Sequence, residues 1–212
     1  LGKLNLQIGE GGDDVMVGIG NLNVQHGGAG DDTQFALGNF NVQIGADGDD
    51  FMLGMGQGNV QFGDGLMAAL PSGVTLGDGK VGSLLKDLAD RVSGTGSGKD
   101  VMVAGGTGLA QFGGGEDDIL IGAGKAAVQF GGTEDDILIG GGKANIQHGD
   151  IGNDFMIARG IGNVQWAGDG NDILLGLAKS KQGSAQFQYG GDGLDLIIGN
   201  SASGKSTIEK IK

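Results

Sequence analysis

Apolar residues recur in threes along this chain, set in a frame of turn-forming residues. One frame is Gly45-Ala46-Asp47-Gly48-Asp49-Asp50-Phe51-Met52-Leu53, six glycine, alanine and acidic residues followed by three apolar ones. Near-copies run from Gly27 to Phe35, Gly113 to Ile121, Gly131 to Ile139, Gly149 to Ile157 and Ala167 to Leu175. The other frame is Gly54-Met55-Gly56-Gln57-Gly58-Asn59-Val60-Gln61-Phe62, with asparagine where the first has aspartate. Glycine permits left-handed turns without steric cost, and an apolar triplet suits a short strand. The two nonapeptides alternate, so Asp14, Asp32 and Asp50 follow at steps of 18, as do Asp100, Asp118, Asp136, Asp154 and Asp172. Gln7, Gln25, Gln43 and Gln61 keep the same step, and so do Gln111, Gln129, Gln147 and Gln165. This predicts an all-β fold: a right-handed parallel β-roll or β-helix solenoid with 18-residue coils, two nonapeptides per coil and two parallel sheets. Roughly nine coils at ~4.8 Å each give a rod on the order of 40 Å long.

Two interruptions break the step. The larger, 66–94, displaces the loop expected after Gly63 to a start at Thr95. Within it Leu84, Leu85, Leu88 and Val92 have helical spacing, with Ser83 as N-cap, which predicts one short helix over 83–92. The smaller adds residues around Lys179 to Gly183 before the pattern resumes at Gln188. The domain reading is a single roll over 1–199, interrupted at 66–94, and a polar, more basic cap or linker over 200–212. The chain opens inside the pattern, so it is expected to be a segment of something longer.

The chain has 212 residues, with 50 glycines, a single proline and 38% hydrophobic residues, too apolar for plain disorder and without a collagen triplet. A formal charge of −13 argues against nucleic-acid or anionic-membrane binding by bulk electrostatics. There is no cysteine, hence no disulfide or thiolate metal site. No apolar run is long enough for a helical membrane span. With no nucleophile and base in any recognisable arrangement, catalysis is not expected. Gly199 to Ser206 spells a phosphate-loop string, but without the helix and acidic strand such a site needs; it reads as coincidence, and no nucleotide is expected.

The charge concentrates in the aspartate loops, which offer fixed carboxylates and turn carbonyls. Oxygen-only sites of about six ligands suit calcium. One loop is too small for that, but two loops one coil apart can share an ion. The expectation is a ladder of about eight calcium ions along one edge, each between consecutive members of Asp14, Asp32, Asp50, Asp100, Asp118, Asp136, Asp154, Asp172 and Asp195. Gly45 to Leu53, Gly149 to Ile157 and Gly190 to Ile198 resemble the repeats-in-toxin (RTX) nonapeptide Gly-Gly-x-Gly-x-Asp-x-apolar-x, which forms a calcium-binding parallel β-roll in secreted bacterial toxins, proteases and adhesins. The alternate half, Gly20 to Asn23, Gly56 to Asn59 or Gly160 to Asn163, is similar to the repeats of multifunctional autoprocessing RTX toxins.

The resemblance implies that one loop gives its second and fourth carbonyls with its aspartate, and the next its first and third carbonyls with its own. The ion between Asp32 and Asp50 then takes Gly28, Gly30, Asp32, Gly45, Asp47 and Asp50. Carried along the chain, the same implication adds Gly12, Gly27, Gly48, Gly113, Gly115, Gly131, Thr133, Gly149, Gly152, Asp169, Gly170, Gly190 and Asp192. Glu116 and Glu134, where glycine should turn the chain, and Ser97 and Lys99 beside Asp100 weaken their sites; the Asp50–Asp100 site depends on coils meeting across the insertion.

The other edge, with Asn5, Asn23, Asn41, Asn59, Asn145 and Asn163, is expected to be a metal-free hydrogen-bond ladder, broken at Leu109 and Ala127. Aspartates that face inward bring Met52, Leu120, Leu138, Leu174 and the glutamines with them. That leaves Val60, Phe62, Val128, Phe130, Val164, Trp166, Ile119, Ile121, Ile137 and Ile139 outside, a large apolar surface. A parity reset at the turn is the other possibility. His26 and His148 read as members of the aromatic stripe. The resemblance implies a secreted, extracellular segment of a very large toxin, at the host-cell surface or membrane, folding on Ca2+ outside the cell and assisting secretion, membrane engagement and effector delivery. Its partners are then calcium, the target membrane or neighbouring repeats. A structural spacer or adhesin module with no membrane role is the alternative; ice or carbohydrate binding lacks a threonine ladder.

Overall fold

The computed structural model describes residues 4–64, 97–178 and 186–199. The helix expected at 83–92, the interruption at Lys179 to Gly183 and the tail over 200–212 lie outside these residues. Among the described residues thirteen strands form a single parallel β-solenoid of about eight turns. They are β1 (Asn5–Gly11), β2 (Val15–Gly20), β3 (Asn23–Ala29), β4 (Thr33–Asp47), β5 (Phe51–Phe62), β6 (Val101–Gly114), β7 (Ile119–Thr133), β8 (Ile137–Ile151), β9 (Phe155–Ile161), β10 (Asn163–Asp169), β11 (Ile173–Ala178), β12 (Gln186–Asp192) and β13 (Leu196–Gly199).

The register follows the sequence repeat residue for residue: Met52 pairs with Gln34 and Gln61 with Gln43, each 18 apart. Across the large interruption the pairing continues, Phe51 with Val101 through Phe62 with Phe112, so the coils do meet there. Across the smaller one Trp166 pairs with Tyr189. The expected three-residue strands are too short. β4 to β8 each run 12–15 residues, straight through the asparagine turn, and stop only at the aspartate loops. Asparagine turns keep their backbone paired coil to coil. Two left-handed residues there bend the strand without ending it, as at Gly56 (φ 135°) and Gly58 (φ 68°).

The parity expected from inward aspartates holds. Met52, Met102, Leu120, Leu138, Met156 and Leu174 form one fully buried column with Ile197. Opposite stands the glutamine column. A buried amide costs free energy unless its hydrogens are used. Each Gln Nε2 donates to the Oε1 of the coil before: Gln25 to Gln7 at 2.9 Å, Gln111 to Gln61 at 2.8 Å, Gln188 to Gln165 at 2.9 Å. Gln43, Gln111 and Gln129 also reach across to the Gln34, Met102 and Leu120 carbonyls, which ties one wall of the roll to the other. Gln34 interrupts the apolar column and donates to the Ile44 carbonyl at 2.6 Å.

On the outer face Phe62, Phe112, Phe130, His148, Trp166 and Tyr189 form a column of rings, with centroids 5.0–6.4 Å apart. His148 belongs to the aromatic stripe, as its slot implied. Phe62 departs from the expectation: it lies on the outward side of its strand yet is buried, together with Ile44.

Candidate metal centre

The aspartate edge is built by a turn that alternates hand. The second and fourth loop residues have positive φ: Gly28 123° and Gly30 119°, Gly168 124° and Gly170 147°. Glu116 and Glu134 keep the turn at φ 70° and 76°, so the missing glycines leave the loop path intact and cost strain of about 1 kcal/mol each. This alternation directs the carbonyls. The second-residue oxygens of Glu10 and Asp150 are aimed at Gly28 and Gly168 one coil on; the fourth-residue oxygens of Gly30, Gly48 and Gly152 are aimed at Gly48, Gly98 and Gly170. Any side chain on those glycines would strike the oxygen. Facing the other way, the third-residue carbonyls of Asp47, Asp169 and Asp192 accept the amides of Gly30, Gly152 and Gly170. The first-residue carbonyls of Gly45, Gly113, Gly131 and Gly149 point at Gly27, Gly63, Gly113 and Gly131 of the coil before.

The fixed aspartates join this set from inside. Asp14, Asp32, Asp50, Asp100, Asp118, Asp136 and Asp154 each donate their amide to the Oδ1 of the next aspartate at 2.7–2.9 Å. Asp172 makes the same bond to Asp195 at 3.1 Å. The Oδ2 atoms of all eight donors in this row, Asp14 to Asp172, are buried without a hydrogen-bond partner. Asp32 Oδ2 sits where a Cβ on Gly27 would be, beside the Gly45 carbonyl, so two acceptors meet with no donor between them.

Burial is the main reason these carboxyls resist ionising, with neighbouring aspartates adding to it. Asp50, Asp100 and Asp136 are pushed up to about 8, Asp118 to about 10, Asp154 to about 7 and Asp172 to about 6. Unpartnered buried anions at one-coil spacing are costly unless they are protonated or share a cation. Among the described residues no three acidic or histidine side chains converge as a side-chain metal cluster. A cation between coils therefore depends on carbonyls, and the residues fit: Gly12, Gly28, Gly30, Gly48, Gly152 and Gly170 supply second or fourth positions. Gly27, Gly45, Gly113, Gly131, Gly149 and Gly190 supply first positions, and Asp47, Gly115, Thr133, Asp169 and Asp192 third ones.

One loop is assembled differently from the sequence expectation. The Asp100 loop does not begin at Thr95. Gly63 faces the Asp100 carboxylate and Asp64 donates its amide to the Gly113 carbonyl at 3.2 Å, so the first two positions precede the insertion. Ser97 and Gly98 then take the third and fourth, with Ser97 O accepting from Gly48 at 3.4 Å. The chain is thus interrupted inside a loop, between its second and third residues. This brings in Asp64, a buried carboxylate that sequence reading missed. Its Oδ2 accepts the Gly115 amide at 2.7 Å and its Oδ1 has no partner. Burial, with Asp47 and Glu116 adding, raises it to about 7.

A second ladder was also missed. Asp13, Asp31, Asp49, Asp117, Asp135, Asn153 and Asn171, one residue before the fixed aspartates, lie outside on the same loops. Their side chains accept amides from the following coil, Asp31 to Asp13 at 3.0 Å and Asn153 to Asp135 at 2.7 Å. Lys99 cannot accept, and pairs instead with Asp117. The doubled Asp-Asp was the available signal. On the opposite edge Asn5, Asn23, Asn41 and Asn59 do form an amide ladder at 2.6–2.7 Å, and Ala104, Leu109 and Ala127 pack where it breaks. Compared with known proteins, the chain matches no family, no curated sequence and no solved structure.

Proposed function

We propose that this chain is a calcium-binding repeat segment of a large secreted bacterial toxin of the RTX type, most like the repeat region of the multifunctional autoprocessing toxins. In this reading it folds on Ca2+ outside the cell and assists secretion, target-membrane engagement and effector delivery, with no catalytic role of its own. The observation that supports calcium is the in-register row of buried Oδ2 atoms, each without a donor and seven of them, Asp14 to Asp154, beside the first carbonyl of the next coil. The linkage is simple: at low calcium the buried carboxyls lack a counter-charge and must hold protons or repel across the coils, which weakens the roll, and calcium that binds only the folded roll stabilises it. Circular dichroism with calcium and with chelator, paired with a count of bound ions, tests this. A full β spectrum in chelator at neutral pH with no bound calcium would sink it.

A spacer or adhesin module without a membrane role is the second reading. The apolar outer faces, part-exposed on interior coils as at Trp166 40%, Ile173 38% and Ile137 36%, favour engagement of another surface. Calcium-loaded protein that leaves vesicles unbound would favour the spacer.

A further inference from the structure

Eight of the nine aspartate loops begin with glycine, and in each the point a Cβ would occupy is taken by the Oδ2 of that loop's own aspartate. The pairs are Gly9 with Asp14, Gly27 with Asp32, Gly45 with Asp50, Gly63 with Asp100, Gly113 with Asp118, Gly131 with Asp136, Gly149 with Asp154 and Gly190 with Asp195. The same point lies beside the first carbonyl of the next coil, 2.6 Å away at Gly45 and Gly149 and 2.7 Å at Gly27 and Gly63. The missing side chain therefore opens the space in which a carboxylate oxygen and a carbonyl of successive coils come together.

The ninth loop begins with Ala167. Its methyl is fully buried in the apolar column with Met156, Leu174 and Ile197. The backbone has not moved to make room, because the Ala167 carbonyl still points at Gly149 as the other first carbonyls do. Asp172 Oδ1 still accepts the Asp154 amide at 2.7 Å, so the methyl takes from Oδ2 alone the space that this oxygen has in the other loops. The bond of the row that crosses to the last coil, from the Asp172 amide to Asp195 Oδ1, is the longest, at 3.1 Å.

We propose that Ala167 closes the cation position between the Asp172 and Asp195 loops, so that the ladder of bound calcium stops one coil short of β12 and β13. That last coil is then held without an ion, by the Gln188–Gln165 bond, the Tyr189–Trp166 stack, Ile197 in the apolar column, the amide bonds to Asp195 and Asn171 and strand pairing. The inference rests on the calcium reading above and assigns which position of that ladder is shut.

The test is a count of calcium ions per chain by native mass spectrometry at saturating calcium, on the native chain and on Ala167→Gly. Removing the methyl restores the frame of the other eight loops, so the variant is expected to fold and to carry one more ion. Adding Asp195→Asn to Ala167→Gly is expected to remove the gained ion. Equal, non-zero counts in the native chain and Ala167→Gly overturn the proposal and leave the calcium reading standing. A folded native chain that carries no calcium overturns both.

Discussion

Asp118 accepts the Asp100 amide on Oδ1 at 2.8 Å, while its Oδ2 is buried with nothing to bond. The two oxygens of one side chain thus have different tasks, one structural and one available for a cation. Asparagine at this position keeps the amide acceptor and removes the charge. Asp118→Asn is therefore expected to be neutral or stabilising without calcium and destabilising by about 1–3 kcal/mol with it, since a ligand is lost and a polar group is left poorly matched. Thermal melts of both proteins with and without calcium check the reversal; a uniform loss in both conditions would assign Asp118 to folding alone. Asp14 to Asp172 were legible from their spacing. Asp64 was not, because Gly63-Asp64 and Thr95-Gly96 suit the loop pattern equally well. Only the contacts of Asp64 with Gly113 and Gly115 show which pair closes the turn.

At the scale of the coil, the glutamine column is the counterpart of the aspartate row and needs no ion. Gln111 donates to Gln61 at 2.8 Å and to the Met102 carbonyl at 2.9 Å, and accepts from Gln129 at 2.9 Å. Gln111→Leu leaves Gln61 Oε1 and the Met102 carbonyl without that donor and Gln129 without its acceptor along the stack. The expected loss is about 2–4 kcal/mol, from buried groups left unpaired, and it is the same with or without calcium. Chemical denaturation in the two conditions measures it, and a calcium-dependent loss would contradict a purely structural column. The periodic glutamine was evident in the sequence. Its bonds across the roll to the opposite wall were not, since they depend on how far apart the two walls stand. The same holds for β4 to β8, whose passage through the asparagine turn is decided by coil-to-coil pairing.

Over the whole molecule, every aspartate and glutamate of the described residues lies on one edge, while Lys125, Lys143 and Arg159 lie on the other. Such segregation leaves the aspartate edge without internal counter-charge apart from Lys99. In the folded, metal-free chain the buried carboxyls hold their protons to about 6–10, above the 3.8 of an unfolded aspartate. The folded state then binds more protons than the unfolded one, so this contribution is complete below about pH 4 and is lost as pH rises through 6–10. Metal-free protein is expected to melt higher at pH 5 than at pH 8, and calcium to restore stability at pH 8, where the ligands are ionised. Melts of calcium-stripped protein across this range check the sign. A metal-free chain that is most stable at pH 8 would mean that the row is not held as anions out of water.

By itself the sequence determined the coil: its 18-residue length, its two kinds of edge, and which residues share a column, because a solenoid brings residues one period apart into contact whatever their neighbours. It also determined that Met, Leu and Gln face inward once the aspartates do, since strand alternation links them. What only the tertiary structure decided is where the repeat is imperfect: the loop divided between Asp64 and Ser97, the burial of Phe62 and Ile44, and the methyl of Ala167 in the place of an oxygen. These depend on contacts between coils at distances of a few ångströms, and a one-dimensional pattern carries the period of the stack without those distances.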